Sequence, residues 1–310
     1  MKVGWSLVFG FMVALVIAAP GCRPVCPCGE KVKPATYSGP VIDAHAHLLF
    51  GDEEKALNVD VPASPAELIR RMDAAGIAQA VVMCIAPAGD PAGTAEHNDR
   101  IVEAARLHPR LIPMGSVHPA DGAAAISELD RLAKQEVRAL KLHPNTQGFD
   151  VSDPAVLTVV REAGLRNMIV LFDGYSPFDA NQPGKLIKLA MEAPGTRIVI
   201  AHVGGPRFVE LATLIHVLRS YAWYRNNLWV DLSFTAEQFG ASPLGPTLAW
   251  AIGQVGADRV LFGSDFPIGD PDKALRAVRA LGLDASTLRA VLHDNARDLF
   301  LAGRTAPSPH

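Results

Sequence analysis

From Pro40 onward the chain alternates short, nearly continuous apolar runs with longer stretches in which apolar residues recur every three or four positions. The short runs read as buried strands and the periodic stretches as amphipathic helices. Eight strands are predicted, over 41–47, 79–86, 111–118, 137–143, 168–173, 197–202, 228–232 and 259–265. Helices are predicted between and after them over 65–75, 95–107, 123–135, 154–166, 185–192, 208–221, 246–255 and 271–281, and a last one over 286–300. Ser64-Pro65 with Glu67, and Asp153-Pro154, are helix-start signals: an oxygen that can cap free N–H groups, then a proline that needs none. Strands that are apolar throughout, each followed by a helix, predict a parallel sheet covered on both faces. Eight such units predict a single-domain (β/α)8 TIM barrel of the α/β class. An open doubly wound sheet is the alternative, but no Gly-x-Gly-x-x-Gly follows the first strand.

Composition adds little to this picture until the N-terminus is considered. Of the 310 residues, 49% are hydrophobic and 20% charged, as in an ordinary well-cored protein. A net charge of -3 gives no reason to expect nucleic acid or an anionic membrane surface as a partner. Lys2 precedes an uncharged apolar run over 5–19 and then Pro20-Gly21-Cys22. That run is shorter than the roughly 20 residues of a comfortable span, so it reads as an export signal. Small residues directly before Cys22 resemble a bacterial lipoprotein signal, whose cysteine is lipidated, although Ala19 stands where leucine is usual. The expected division is a signal peptide over 1–21, a flexible tether over 22–38, the barrel over 39–303 and a polar tail over 304–310. The protein is therefore expected to be exported and membrane-anchored by an N-terminal lipid, or periplasmic if the signal is of the plain type. Cys26 and Cys28 lie in the tether without a second pair or a nearby histidine to complete a metal site. Cys84 falls inside an apolar run and reads as a core thiol.

Candidate chemistry gathers at strand ends. The first strand closes on Asp43-Ala44-His45-Ala46-His47, and simple alternation puts both imidazoles on one face with Asp43 in line behind them. Two imidazoles so placed can ligate one divalent cation, or else be two histidines satisfied by hydrogen bonds. The last strand, Val260-Leu261-Phe262-Gly263-Ser264-Asp265, ends in a carboxylate. His118, Lys141, His143, Asp173 and His202 also lie at or near the C-terminal ends of predicted strands. In a (β/α)8 barrel those ends converge on the mouth where chemistry occurs. Burying so many titratable groups without compensation costs several kcal/mol per ion, roughly, which argues against a purely structural cluster.

Four segments taken in order, Ile42-Asp43-Ala44-His45-Ala46-His47, Lys141-Leu142-His143-Pro144-Asn145, Ile200-Ala201-His202-Val203-Gly204-Gly205 and Gly263-Ser264-Asp265-Phe266-Pro267, resemble the amidohydrolase-2 branch of the metal-dependent amidohydrolases. The resemblance implies one catalytic divalent metal, zinc or manganese, on His45, His47 and Asp265. It further implies Asp265 as proton acceptor, His202 as a group that polarises the substrate, and Lys141 and His143 as substrate contacts. The family's fifth strand usually ends in a histidine followed by a glycine. Here gapless matching to Gly174 places Phe172 at that point, with Asp173 beside it as the replacement ligand, or else His202 filling the vacancy or the site weakened. The implied reaction is cleavage of an ester, lactone or amide bond of a small molecule by metal-activated water. The same branch contains non-oxidative decarboxylases, so decarboxylation of a carboxylic acid is the alternative. A third reading, suggested by Phe172, is a catalytically inactive barrel serving as a surface-tethered binding protein. The segments over 50–64, 87–94, 175–183 and 234–245 are expected to set specificity. Their Tyr175, Phe178, Phe234 and Phe239 suggest an apolar or aromatic substrate.

Overall fold

The computed structural model describes residues 36–50 and 62–302. The predicted signal, Cys22, most of the tether and the tail lie outside these residues, as does most of the 50–64 segment. Among the described residues no helix is long and apolar enough to cross a membrane.

Eight parallel strands follow one another around the sheet in chain order: β1 (Ile42–His47), β2 (Gln79–Met83), β3 (Leu111–Ser116), β4 (Ala139–Leu142), β5 (Ile169–Phe172), β6 (Arg197–Ile200), β7 (Leu228–Asp231) and β8 (Val260–Leu261). The two edges are joined by Ala44 N–H to the Phe262 carbonyl and Asp265 N–H to the His45 carbonyl, both 2.8 Å, giving a nearly closed (β/α)8 barrel. Between the strands lie α1 (Pro65–Ala75), α2 (Pro91–Leu107), α3 (Ala123–Lys134), α4 (Pro154–Leu165), α5 (Gln182–Glu192), α6 (Phe208–Arg219) and α7 (Gly245–Val255), and α8 (Pro271–Arg279) follows β8. Both predicted caps form: Ser64 Oγ accepts from Glu67 N–H at 3.3 Å, and Asp153 Oδ1 from Ala155 N–H at 2.8 Å. Helix α2 starts four residues before its predicted position because Asp90 caps Gly93 N–H at 2.9 Å and Pro91 occupies the first turn.

The core has two layers that follow the strand period of two. Ile169 and Leu171 point into the barrel with Met83, Met114, Val199 and Leu261, while Val170 and Phe172 pack outward against the helices. The chain closes with α9 (Ala285–Arg289), whose helical path continues in two wide i→i+5 turns to Leu301. Leu299 and Phe300 join the inner layer with Ile42, Ile112, Ala139 and Ile169, which plugs the barrel at the strands' N-terminal end.

Strand pairing stops short of the predicted ends at the opposite face. β6 gives way after Ile200 to a tight turn, and β8 pairs with β7 over two residues only. The residues beyond are the polar ones, whose backbone turns to aim side chains at the mouth instead of extending the ladder. β1 departs from simple alternation as well. Its register against β2 slips between Asp43 and Ala46; Ile42 and Ala44 lie in the inner layer, Ala46 in the outer. A β-bulge re-aims the side chains that follow it. His45 and His47 therefore share the mouth through the bulge, and Asp43 is not simply the next residue of their face.

Candidate metal centre

The bulge brings His45 and His47 together with their Nε2 atoms 3.1 Å apart. Asp265 Oδ1 lies 3.4 Å from His45 Nε2 and 3.6 Å from His47 Nε2. His45, His202 and Asp265 also offer ligand atoms that all lie within 4.8 Å of one another. The edge of a tetrahedron around an ion with bonds of about 2.1 Å is about 3.4 Å, so the first three atoms have the spacing of adjacent ligands.

The hydrogen bonds around His45 fix which nitrogen faces that centre. Its Nδ1 lies 3.0 Å from Asp231 Oδ2. Burial, then the charge of Lys141, lowers its pKa to about 4, so the ring is neutral at pH 7. Asp231 is ionised, its carboxyl held at about 2 because the pull of His45, His202 and Ser233 together outweighs burial. The single ring proton therefore sits on Nδ1, and Nε2 presents its lone pair to the centre. Asp231 does more than this. Its Oδ1 accepts from His202 N–H at 2.9 Å and from Ser233 N–H at 3.0 Å, and also from the Ser233 hydroxyl. Asp43 acts similarly on the other side, accepting through Oδ1 from His45 N–H at 3.0 Å and Ser264 N–H at 2.9 Å, which ties β1 to β8.

Close packing shapes the same region. A Cβ on Gly263 would lie 2.8 Å from His45 Cβ and 3.0 Å from Ser233 Cβ, so only glycine lets the imidazole settle there. His202, Val203, Phe234 and Asp265 all have left-handed backbone, with φ of 59°, 42°, 58° and 60°. Such conformations cost of order 1–3 kcal/mol each and persist where surrounding contacts impose them.

His202 and Asp173 form the second half of the site. Their Nε2 and Oδ2 atoms are 3.2 Å apart, and His143 Nε2 approaches the same oxygen at 3.4 Å. Asp173 Oδ1 accepts from Tyr175 N–H at 3.0 Å. Burial opposes charge on His202, yet Asp265, Asp173 and Asp231 outweigh it and raise its pKa to about 9. His202 Nδ1 lies 3.1 Å from the Ser233 carbonyl, which requires a proton on that nitrogen. Asp265 and Asp173 are both held well below the usual carboxylate range, against their burial, largely by His202. Lys141 is fully buried, with Nζ 3.2 Å from His45 Nε2, and burial lowers its pKa.

Three ionised carboxylates thus share this buried mouth with one imidazolium and one ammonium whose charge burial disfavours. That negative excess, together with the lone pairs of His45 and His47 aimed at Asp265, fits a divalent cation.

The mouth therefore brings His45, His47, Lys141, His202 and Asp265 together, with His143 and Asp173 beside them. Asp173 lies next to His202 and His143 rather than in the set of mutually close ligand atoms. Gapless matching misjudged Phe172: it is fully buried in the outer layer, facing the helices, and the strand period makes Asp173 the mouth-facing residue of β5. His118 is a structural link, with Nε2 2.8 Å from the Gln147 carbonyl and Nδ1 accepting from Ala120 N–H at 3.1 Å. Of the loop aromatics, Phe234 stands edge-on to His202 with ring centroids 6.3 Å apart, whereas Phe239 packs on Phe208 and Phe178 is 85% exposed. Sequence reasoning overlooked Asp231 and Ser233. The signal for Asp231 was present, since it ends the apolar run Leu228-Trp229-Val230 as Asp265 ends its own.

A sequence model described as amidohydrolase matches residues 42–301. No curated protein matches the chain. Among solved structures, 5-carboxyvanillate decarboxylase from Novosphingobium aromaticivorans, complexed with manganese and 4-hydroxy-3-methoxy-5-nitrobenzoic acid, aligns with a TM-score of 0.64 at 18% identity over 85% of this chain and 96% of its own. The 2,6-dihydroxybenzoate decarboxylase from Rhizobium gives 0.64 at 18% identity, covering 84% of this chain and 98% of its own. A Pseudomonas putida protein assigned as a 2-pyrone-4,6-dicarboxylic acid hydrolase gives 0.63 at 22% identity, covering 86% and 99%. At these identities the likeness is one of fold.

Proposed function

Because the chain belongs to the amidohydrolase family, we propose that it is a divalent-metal-dependent enzyme that hydrolyses an ester, lactone or amide bond of a small molecule at the mouth of the barrel. The observation that carries the reading is the convergence of His45, His47 and Asp265, whose facing atoms lie 3.1–3.6 Å apart, with His202 beside them. Asp265 is held ionised and His202 protonated, within 4.8 Å of each other and beside His45 and His47.

His45, His47 and Asp265 would hold the ion, zinc or manganese, with His202 close by. When bound, it supplies Lewis acidity, polarising a carbonyl and easing deprotonation of water. Asp265 takes the proton of the attacking water and returns it to the leaving group. His202, oriented by Asp173 and the Ser233 carbonyl, donates a hydrogen bond to the oxygen on which negative charge develops. Lys141 and His143 contact the polar end of the substrate, and Phe234 lines the side nearest His202. The third reading, an inactive binding barrel, loses its support with Phe172 turned away from the mouth.

Decarboxylation of an aromatic or unsaturated carboxylic acid stands level with hydrolysis. It is favoured by the decarboxylases among the solved structures of like fold, one of them holding manganese. In that reading Lys141 would hold the substrate carboxylate, and His202 would supply the proton that takes the place of the departing CO2. The discriminating experiment is a screen of the zinc- and manganese-loaded protein against lactones, esters, amides and aromatic acids, recording released acid and evolved CO2 separately. Acid release without CO2 supports hydrolysis, and CO2 evolution replaces it with decarboxylation. The His45→Ala, His47→Ala double variant should lose bound metal and activity together while staying folded, since apolar residues build the core. Retained activity in that variant refutes both readings.

Export and lipid attachment at Cys22 are part of the proposal, supported by the sequence of residues 1–22. Cys22→Ser should release the protein from the membrane fraction or block its processing.

A further inference from the structure

The end of the barrel opposite the mouth carries an apolar and basic surface that the chemistry does not use. The connection 220–227, between α6 and β7, holds Tyr221 and Trp223, 49% and 57% exposed, with rings stacked at 5.4 Å. Val217, one turn earlier on α6, is also exposed. This connection is not a loose loop. Asn227 Nδ2 donates to the carbonyls of Ala190, Ala193 and Thr196, at 3.1, 3.1 and 2.8 Å, and Arg259 Nε reaches the Asn226 carbonyl at 3.4 Å. Two exposed aromatic rings on a pinned support are available for contact without an ordering cost.

Arginines recur at the same end, Arg138 and Arg225 in helix-to-strand connections and Arg197 as the first residue of β6. Arg138, Arg197 and Arg225 have no carboxylate within ion-pair distance among the described residues. Arg138 reaches only the Ala302 carbonyl, Arg197 only Asn167, and Arg225 is exposed. Asp258, in the connection before β8, is already paired with Arg259 at 2.8 Å, and Glu136, in the connection that holds Arg138, is exposed. The chain also enters the barrel here. Tyr37 feels the charges of Asp294, Arg289 and Arg297, and the Val41 carbonyl accepts from Ala78 N–H at 2.8 Å beside the start of β2. The 35 residues that precede the described part, with their uncharged apolar run over 5–19, join the described chain at this end.

We propose that this face, built on Tyr221, Trp223, Arg138, Arg197 and Arg225, rests on an anionic phospholipid bilayer and turns the mouth towards the solvent. The proposal rests on the N-terminal anchor reading above. An apolar and basic face adds a second attachment to the one that the lipid anchor supplies. Stacked Tyr and Trp rings suit the headgroup region, where one part of the ring is wet and the other apolar. Arginines without carboxylate partners complement the negative lipid surface. The arrangement also leaves the site free to small molecules on the side away from the membrane.

The test uses the full chain with vesicles of brominated phosphatidylcholine and phosphatidylglycerol, in a Trp5→Phe background that silences the tryptophan of the apolar run. Tryptophan emission should be quenched on binding, and Trp223→Phe should remove most of that quenching. Arg225→Glu should weaken vesicle binding by about fivefold or more at low salt, with activity unchanged. A chain that sediments with vesicles while Trp223 stays unquenched overturns the proposal and leaves the anchor standing. A chain that does not sediment at all overturns both. Concentration-dependent burial of Trp223 without lipid overturns it in favour of a second copy of the chain.

Discussion

Replacing Asp231 by asparagine should weaken metal binding more than its distance from the ion suggests. The carboxylate serves donors on two sides: His45 Nδ1 at 3.0 Å through Oδ2, and the His202 and Ser233 N–H groups at 2.9 and 3.0 Å through Oδ1. Asparagine has one oxygen. If it faces the two backbone amides, its NH2 group confronts His45 Nδ1 and forces the proton onto Nε2, which closes that nitrogen to a metal. If it faces His45, its NH2 group confronts two N–H donors, leaving buried groups unpaired at about 1–3 kcal/mol each. Either outcome misplaces a ligand of the centre. Loss of a carboxylate that orients a metal-binding histidine costs 10–100-fold in affinity, about 1.4–2.7 kcal/mol. The assay is competition for zinc against a chromophoric chelator, with circular dichroism and the thermal midpoint measured on the same sample. Ser233→Ala, which keeps the Asp231 carboxylate, should lose much less. A folded Asp231→Asn protein that binds zinc within twofold of the parent would refute the tautomer argument.

Asp173→Asn should leave metal stoichiometry intact while lowering turnover, since Asp173 faces His202 rather than the ligand set; loss of metal instead would make Asp173 a ligand. Phe172→His should not add a ligand, because residue 172 faces the helices. It should lower stability by roughly 2–4 kcal/mol through a cavity and a buried polar ring, and a gain in zinc affinity is the contrary result. In the metal-free protein the stability contributed by His202 should fall as pH rises. His202 has a folded pKa of about 9 against an ordinary 6.5, so its contribution is full below pH 6.5 and is lost as pH rises through 9. Urea unfolding of the metal-stripped protein across that window should show the decline, and His202→Gln should flatten it; identical slopes would count against the His202–Asp173 pair as drawn.

Local physics made much of this protein legible from its sequence. Apolar runs alternating with helical periods are enough to specify a parallel sheet clothed in helices, because neither element can bury its apolar surface alone. Strand ends converge in such a barrel, so His45, His47, Lys141, His202 and Asp265 could be placed at one mouth from sequence spacing. What the sequence left undecided depends on geometry set between distant segments. The β1 bulge arises from the fit against β2 and β8, and it decides that His45 and His47 face the mouth while Ala44 stays inside. The inward phase of β5 follows from its register with β4 and β6, and it assigns the mouth to Asp173 and the outer core to Phe172. Asp231 meets His45 from 186 positions away, and only the closed ring brings them within hydrogen-bond reach. The protonation of His202 is likewise collective, since three carboxylates from three different strand ends outweigh burial that would otherwise keep the ring neutral.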